Sequence, residues 1–282
     1  MSNNPLFAAA IFGLLSAASW GTGDFAGGLA TKKSSAYFVV LFSQLIGIVF
    51  LLGLTLIIGE RPPHPTDLLK GAVGGLAGAV GLLVLYQGLA RGRMGVVAPI
   101  AAVITTLPPL VVSFWSEGWP GARPLLGFGT ALLGVWLISR TQEKGGIVRQ
   151  DLTLAGIAGL GFGLFYISLD QVNEGAVLWP LMAARLASIT VIGILVWLGR
   201  PRPRPTLREL PIIVLSGLGD TGGNAFFMLA AQAGRLDVAA VLSSLYPATT
   251  VLLAWLILKE RLQGGQWWGV AAALMAIILI TS

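Results

Sequence analysis

A chain of 282 residues that is 55% hydrophobic and only 11% charged, with a mean hydropathy of +0.83, is excluded from the water-soluble classes, in which about 25% of residues carry charge. Its net charge of +6 would suggest nucleic acid as the partner of a soluble protein. Here the basic residues fall between apolar runs, so the expected partner is a lipid bilayer and not nucleic acid. With no cysteine and a single histidine, His64, thiolate chemistry is unavailable and no metal or cofactor is expected.

In chain order, apolar runs predict transmembrane helices at 6–29, 36–58, 71–90, 94–115, 124–139, 152–172, 176–198, 211–233, 236–258 and 264–281, an all-α polytopic membrane protein of ten spans. The first run lacks a preceding basic region and a clear cleavage site, so it reads as a retained span and not a signal peptide. The breaks include Lys32-Lys33-Ser34-Ser35, the stretches 59–70 and 140–151, and Arg200-Pro201-Arg202-Pro203-Arg204-Pro205. Proline cannot continue a helix there, and arginine resists insertion. His64, flanked by prolines, reads as part of a surface connection, with pH sensing as the alternative.

Alternate connections differ sharply in charge. One side collects Lys32, Lys33, Arg91, Arg93, Arg140, Lys144, Arg149, the arginines of 200–208, Lys259 and Arg261, whereas the other holds only Arg61, Lys70, Arg123 and Arg235. The positive-inside rule then puts both termini outside a cell inner membrane or plasma membrane.

The chain also repeats itself at an offset of 142 residues, which pairs Gly75 with Gly217, Leu76 with Leu218, Gly81 with Gly223, Arg93 with Arg235 and Gly127 with Gly269. The same offset aligns Trp20-Gly21 with Phe162-Gly163. The expected division is therefore 1–143 and 144–282, five spans in each half. An odd number of spans makes the second half enter the membrane from the opposite face, giving an inverted-topology repeat.

Three stretches have a familiar cast: Ser16-Ala17-Ala18-Ser19-Trp20-Gly21 in the first span, Arg185 in the seventh, and Leu242-Ser243-Ser244-Leu245-Tyr246-Pro247 followed by Lys259-Glu260-Arg261 around the ninth. In these the chain resembles the EamA-type transporters of the drug/metabolite transporter superfamily, ten-span proteins of two five-span halves, over essentially its whole length. The resemblance implies transport of amino acids, other metabolites or drugs, often outward. The first half departs from the pattern. Gln44 stands where an arginine would match, and Pro108-Pro109 lies closer to Glu117 than Pro247 does to Glu260, so whether both halves contribute equally to a site stays open.

Ionisable side chains inside a span cost about 2.5–3.5 kcal/mol at the helix centre, which singles out Asp24, Arg185 and Asp220. Asp170 falls at a span end and is treated as solvated. At about 1.5 Å per residue, Arg185 and Asp220 lie within about 3 Å of mid-span, and Asp24 about 10 Å toward the basic side. Arg185 and Asp220 either border a polar cavity for a carboxylate-bearing or zwitterionic solute or form a buried pair that fixes packing; both readings stand. Asp24 is either a proton-coupling carboxyl or a solvated, helix-orienting one.

Trp20, Tyr86, Gln87, Tyr166, Asn224, Ser243 and Tyr246, with Gln44, offer aromatic, amide and hydroxyl groups for lining such a cavity, or for ordinary packing. Pro99, Pro108 and Pro109 in span four and Pro247 in span nine mark gates beside a solute path, or simple kinks. Trp115, Trp119, Trp267 and Trp268 sit near span ends, where aromatic belts form. The expected function is a secondary transporter, an exporter of small metabolites such as amino acids, working by alternating access around a midplane cavity. Two fused halves can form one complete pathway in a monomer. A channel or non-transporting scaffold, and an intramembrane enzyme, are the alternatives; no Walker-type loop supports ATP hydrolysis.

Overall fold

The computed structural model describes residues 5–91, 94–139, 148–259 and 264–281. Arg93, Glu260, Arg261 and the expected boundary between 143 and 144 lie outside the described residues. The described residues form eleven helices and no strand: α1 (Pro5–Thr31), α2 (Ala36–Ile58), α3 (Pro65–Ala90), α4 (Met94–Ser116), α5 (Ala122–Ser139), α6 (Arg149–Asp170), α7 (Leu178–Gly199), α8 (Leu210–Ala233), α9 (Leu236–Ser243), α10 (Tyr246–Leu258) and α11 (Gly264–Thr281). Nine segments are long and apolar enough to cross a membrane, counting α9 and α10 as one, and the shorter apolar α5 completes the ten. The chain is thus an all-helical, multi-pass membrane protein. Large apolar side chains on its outside, such as Leu56, Ile57 and Trp115, face lipid where a soluble protein would carry charge.

Two predicted elements differ from what is observed. The third helix starts at Pro65, six residues before the expected 71, because Pro65 occupies its first turn, where a missing N–H costs nothing, and His64 Nδ1 accepts from Thr66 N at 3.3 Å. His64 is therefore a helix cap. The ninth crossing is split by a turn at Ser244 and Leu245, with Ala248 N donating to Leu245 O at 2.8 Å. Pro247 lies in the first turn of α10, so the backbone restarts there, whereas α4 runs on through Pro99, Pro108 and Pro109.

The main helix pairings repeat the 142-residue offset. α1 packs on α8 as α6 packs on α3, α2 on α8 as α7 on α3, and α9 and α10 on α1 as α4 on α6, while α2 meets α7 and α5 meets α11 across the symmetry axis. The paired glycines sit at equivalent crossings. A Cβ on Gly81 would lie 3.0 Å from the Phe162 ring, and one on Gly223 would run into the Trp20 ring. Gly163 meets Pro108 at 2.8 Å and Gly21 meets Thr249 at 2.5 Å by the same construction; Gly127 meets Ala276 O at 3.2 Å and Gly269 meets Gly134 O at 2.8 Å. The partners at Gly81 and Gly223 and at Gly127 and Gly269 are counterparts shifted by the same offset, and those at Gly163 and Gly21 fall one residue from it, so small residues bring the helices together at matching places in two oppositely directed halves.

Candidate functional site

The four central helices α1, α3, α6 and α8, with α2, α7 and the start of α10, enclose a cavity of about 50 Å³, room for a few water molecules. Residues spaced three or four apart share a helix face, and this spacing builds the walls. α1 presents Trp20 and Asp24, α8 Asp220 and Asn224, and α7 Arg185 and Ser188, while Gln44 and Tyr246 come from α2 and α10. The opposite wall is apolar: Gly75, Gly78, Ala79 and Leu82 from α3, with Phe162 and Phe165 beside Tyr166 from α6.

Arg185 is the electrostatic centre. Only 4% exposed, it donates through Nη1 to Asp220 Oδ2 at 2.5 Å and to Gln44 Oε1. Its Nε and Nη2 are buried and make no hydrogen bond to the protein. Buried donors on a charged group are expensive to leave unpaired, and Nε with Nη2 forms one of the two forks by which a guanidinium grips a carboxylate. The structure thus joins the two sequence readings: Arg185 and Asp220 do form a buried pair, and that pair borders the cavity.

Asp24 joins this pair at the cavity. Gly23 packs on the α8 backbone at Asp220, where a Cβ would lie 2.8 Å from Asp220 N, so Asp24 reaches the same cavity as Asp220. Ser16 and Ser19 donate to Gly223 O and Gly219 O at 2.8 Å each, so α1 and α8 meet along their middles and Asp24 enters the cavity about one turn beyond Trp20.

An aromatic cluster supports the other end. Trp20 stacks on Tyr166 with centroids 5.4 Å apart, Tyr166 stacks on Phe227 at 4.1 Å, and Trp20 Nε1 donates to Asn224 Oδ1 at 2.8 Å. Phe165, Phe227 and Ser188 were absent from the sequence candidates. Their signal was the i, i+3 or i, i+4 spacing from Phe162, Asn224 and Arg185.

Three candidates lie elsewhere. Tyr86 is behind the wall, its hydroxyl 3.0 Å from Ser216 Oγ and 3.4 Å from Gly23 O, where it pins α3 to α8 and α1. Ser243 Oγ donates to Gly13 O at 3.4 Å, away from the cavity, and Gln87 does not line it. Pro247 opens α10 beside the cavity residue Tyr246. Pro108 packs against Gly163 of α6.

On the face that carries the termini, side chains tie the two halves together. Arg235 Nη2 donates to Asp237 Oδ2 at 2.7 Å, Ser113 Oγ at 3.3 Å and Gly118 O at 2.8 Å, and its Nη1 to Glu117 O at 3.2 Å. The hydrogen bonds to Asp237 push the Arg235 pKa above the usual arginine value, so it stays charged. The Glu60 carboxylate accepts from the backbone N–H groups of Val177, Leu178 and Trp179 at 3.0–3.3 Å, capping α7 where the helix dipole favours an anion. Buried Asp67 accepts from Asn173 Nδ2 at 2.9 Å, and Lys70 bonds both Asp67 and the Gln171 carbonyl.

Among solved structures, a crystal structure of a protein superposes with a TM-score of 0.76 at 18% identity, covering 97% of this chain and 96% of that one, which shows a shared fold. A sodium-dependent phosphate transporter aligns over 98% of this chain and 96% of its own at 14% identity, with a TM-score of only 0.19. No curated protein matches the sequence. Residues 7–140 and again 152–282 match the EamA-like transporter family. Two copies of that family's five-helix unit therefore cover the two halves whose crossings mirror one another, and the chain, a membrane transporter, belongs to the EamA-like transporter family.

Proposed function

We propose that this transporter exports small amphipathic metabolites with a carboxylate or zwitterionic head, amino acids foremost, by alternating access around the central cavity. The observation that carries this reading is Arg185, which lines a cavity whose far wall is apolar and keeps two buried donors, Nε and Nη2, without a hydrogen-bond partner. A carboxylate would take the Nε and Nη2 fork while a cationic amine is drawn to Asp220 and Asp24. The apolar part of the solute would rest on Leu82, Phe162 and Phe165. With about 50 Å³ available, a solute enters only as the halves move apart at the glycine crossings, as rocking of two inverted repeats provides.

Asp24 has no hydrogen-bond or ion-pair partner among the described residues and reaches the cavity, which suits it to take up and release the coupling proton. The basic loops favour a cell inner or plasma membrane with both termini outside. A complete cavity within one chain favours a monomer.

The test is uptake and counterflow in proteoliposomes with a panel of amino acids, organic cations and sugars, with and without a pH gradient. Saturable, counterflow-stimulated flux of an amino acid supports the reading. Non-saturable flux would favour a channel, and full transport by a well-folded Arg185→Ala protein would overturn the assigned site.

A further inference from the structure

On the basic face, well away from the central cavity, a second concavity of about 680 Å³ opens between α2 and the end of α7. Its walls are Phe38 and Phe42 from α2 and Trp197 from α7, and its rim is Arg200, Arg202 and Arg204. We propose that this groove binds one anionic phospholipid, its phosphodiester headgroup held by the three arginines and an acyl chain laid along the aromatic wall.

Four observations converge on that occupant. First, the three guanidinium groups are exposed and, among the described residues, none has an acidic or hydrogen-bonding partner; the single contact is Arg204, whose Cζ lies 5.9 Å over the Phe38 ring. Unpaired arginines at the rim of a groove suit a phosphate, which they can grip with two parallel bonds. Second, prolines alternate with them, so the backbone that carries the arginines has few conformations to lose on binding. The segment is docked as well, since Ser35 N donates to Pro203 O at 2.9 Å.

Third, Arg200 caps α7 with φ at 43°, a left-handed conformation that glycine adopts without strain. Gly199 stands one position earlier and is not used there, so an arginine side chain is kept where the backbone disfavours it. Fourth, the groove lies at headgroup depth. Trp197, 75% exposed at the end of a membrane-crossing helix, is an interfacial anchor, and basic pockets between helices on a basic face are where anionic headgroups bind. Lys32 and Lys33 on the adjoining loop add to the positive field.

The experiment is native mass spectrometry of the purified full-length protein titrated with phosphatidylglycerol against phosphatidylcholine. The expected result is one preferentially retained phosphatidylglycerol. The triple variant R200Q/R202Q/R204Q should weaken it by about a hundredfold and R204Q alone by about fivefold. R149Q, on the same face at the start of α6, should change it by less than about twofold.

A steric arm separates docking from diffuse attraction. Gly193 lines the groove and a Cβ there meets nothing within 4 Å, so Gly193→Leu fits the helix, fills the groove and should displace the lipid with every arginine in place. Unchanged retention in the triple variant or in R204Q, or in folded Gly193→Leu, overturns the proposal. So does displacement of the lipid by millimolar inorganic phosphate, which would make the groove a site for free phosphate.

Discussion

Replacing Arg185 separates its two roles, because only one of its nitrogens serves the protein. Nη1 holds Asp220 and Gln44, whereas Nε and Nη2 bond nothing in the chain. Arg185→Ala therefore does two kinds of damage. It leaves Asp220, 15% exposed, without its cation, a loss of about 3–5 kcal/mol for a fully buried pair and less here because the cavity admits water. It also removes the fork. Arg185→Lys removes only the fork, since an ammonium can still pair with Asp220. Stability should then stay close to that of the parent while solute affinity falls by the value of a charge-assisted hydrogen bond, about 1.5–3 kcal/mol or roughly 10- to 150-fold in KM. The double variant Arg185→Met, Asp220→Leu, which removes both charges, should recover most of the stability and no transport. Thermal melting of the purified protein and counterflow in proteoliposomes read the two quantities separately. A stable Arg185→Lys protein with unchanged KM for every solute it carries would refute the assignment of the free fork to substrate.

Other consequences follow from single contacts. Asp24→Asn should leave the fold intact and abolish the response of transport to an imposed pH gradient, because the amide cannot exchange a proton; a gradient response equal to the parent's would exclude Asp24 from coupling. Gly75→Val should prevent folding, since even a Cβ would lie 2.6 Å from the Ala184 carbonyl carbon, whereas Gly53→Ala, which meets nothing within 4 Å, should stabilise by up to about 1 kcal/mol through helix propensity; melting temperatures decide. Arg235→Gln should loosen the terminal face by about 1–3 kcal/mol and raise maleimide labelling of Ser188→Cys from that side by roughly 5- to 150-fold, a clean readout in a chain without other cysteines. Glu60→Gln should cost about 1 kcal/mol by weakening the charged cap on α7, seen as a lower melting temperature with transport retained.

The ten crossings and the doubled architecture were legible because both rest on one-dimensional signals: hydrocarbon thickness fixes the length of an apolar run, and glycine pairs at a constant offset survive as identities. What stayed hidden was relative placement. Sequence position set Asp24 apart from Asp220 in depth, and only the packing of Gly23 against the Asp220 backbone shows that both line one cavity. Tyr86 and Ser243 carry the right chemistry on the wrong helix faces. Had the faces been traced by i, i+3 and i, i+4 spacing, Trp20 with Asp24 and Asp220 with Asn224 would have fallen together and Ser188 would have joined Arg185. The break between α9 and α10 was not separable from the unbroken proline-bearing α4, because proline at a helix start and proline within a helix look alike until the neighbouring backbone is known.

The backbone is two-fold but the cavity is not. Shifted by the repeat offset, Trp20 corresponds to Phe162, Asp220 to Gly78, Asn224 to Leu82 and Arg185 to Ser43, so each of these four has a smaller or apolar counterpart in the other half, while Asp24 corresponds to Tyr166. Matched crossings at Gly21 and Gly163, and at Gly127 and Gly269, give the two halves equivalent seams along which to separate, which suits motion toward either face. A cavity with matching symmetry would hold a head-and-tail solute equally well in two opposed poses. Breaking the symmetry only in side chains keeps the shared seams while offering one orientation, with charge toward α7 and α8 and apolar surface toward α3 and α6. Under the proposed function, that division assigns movement to the repeated architecture and recognition to the unrepeated residues.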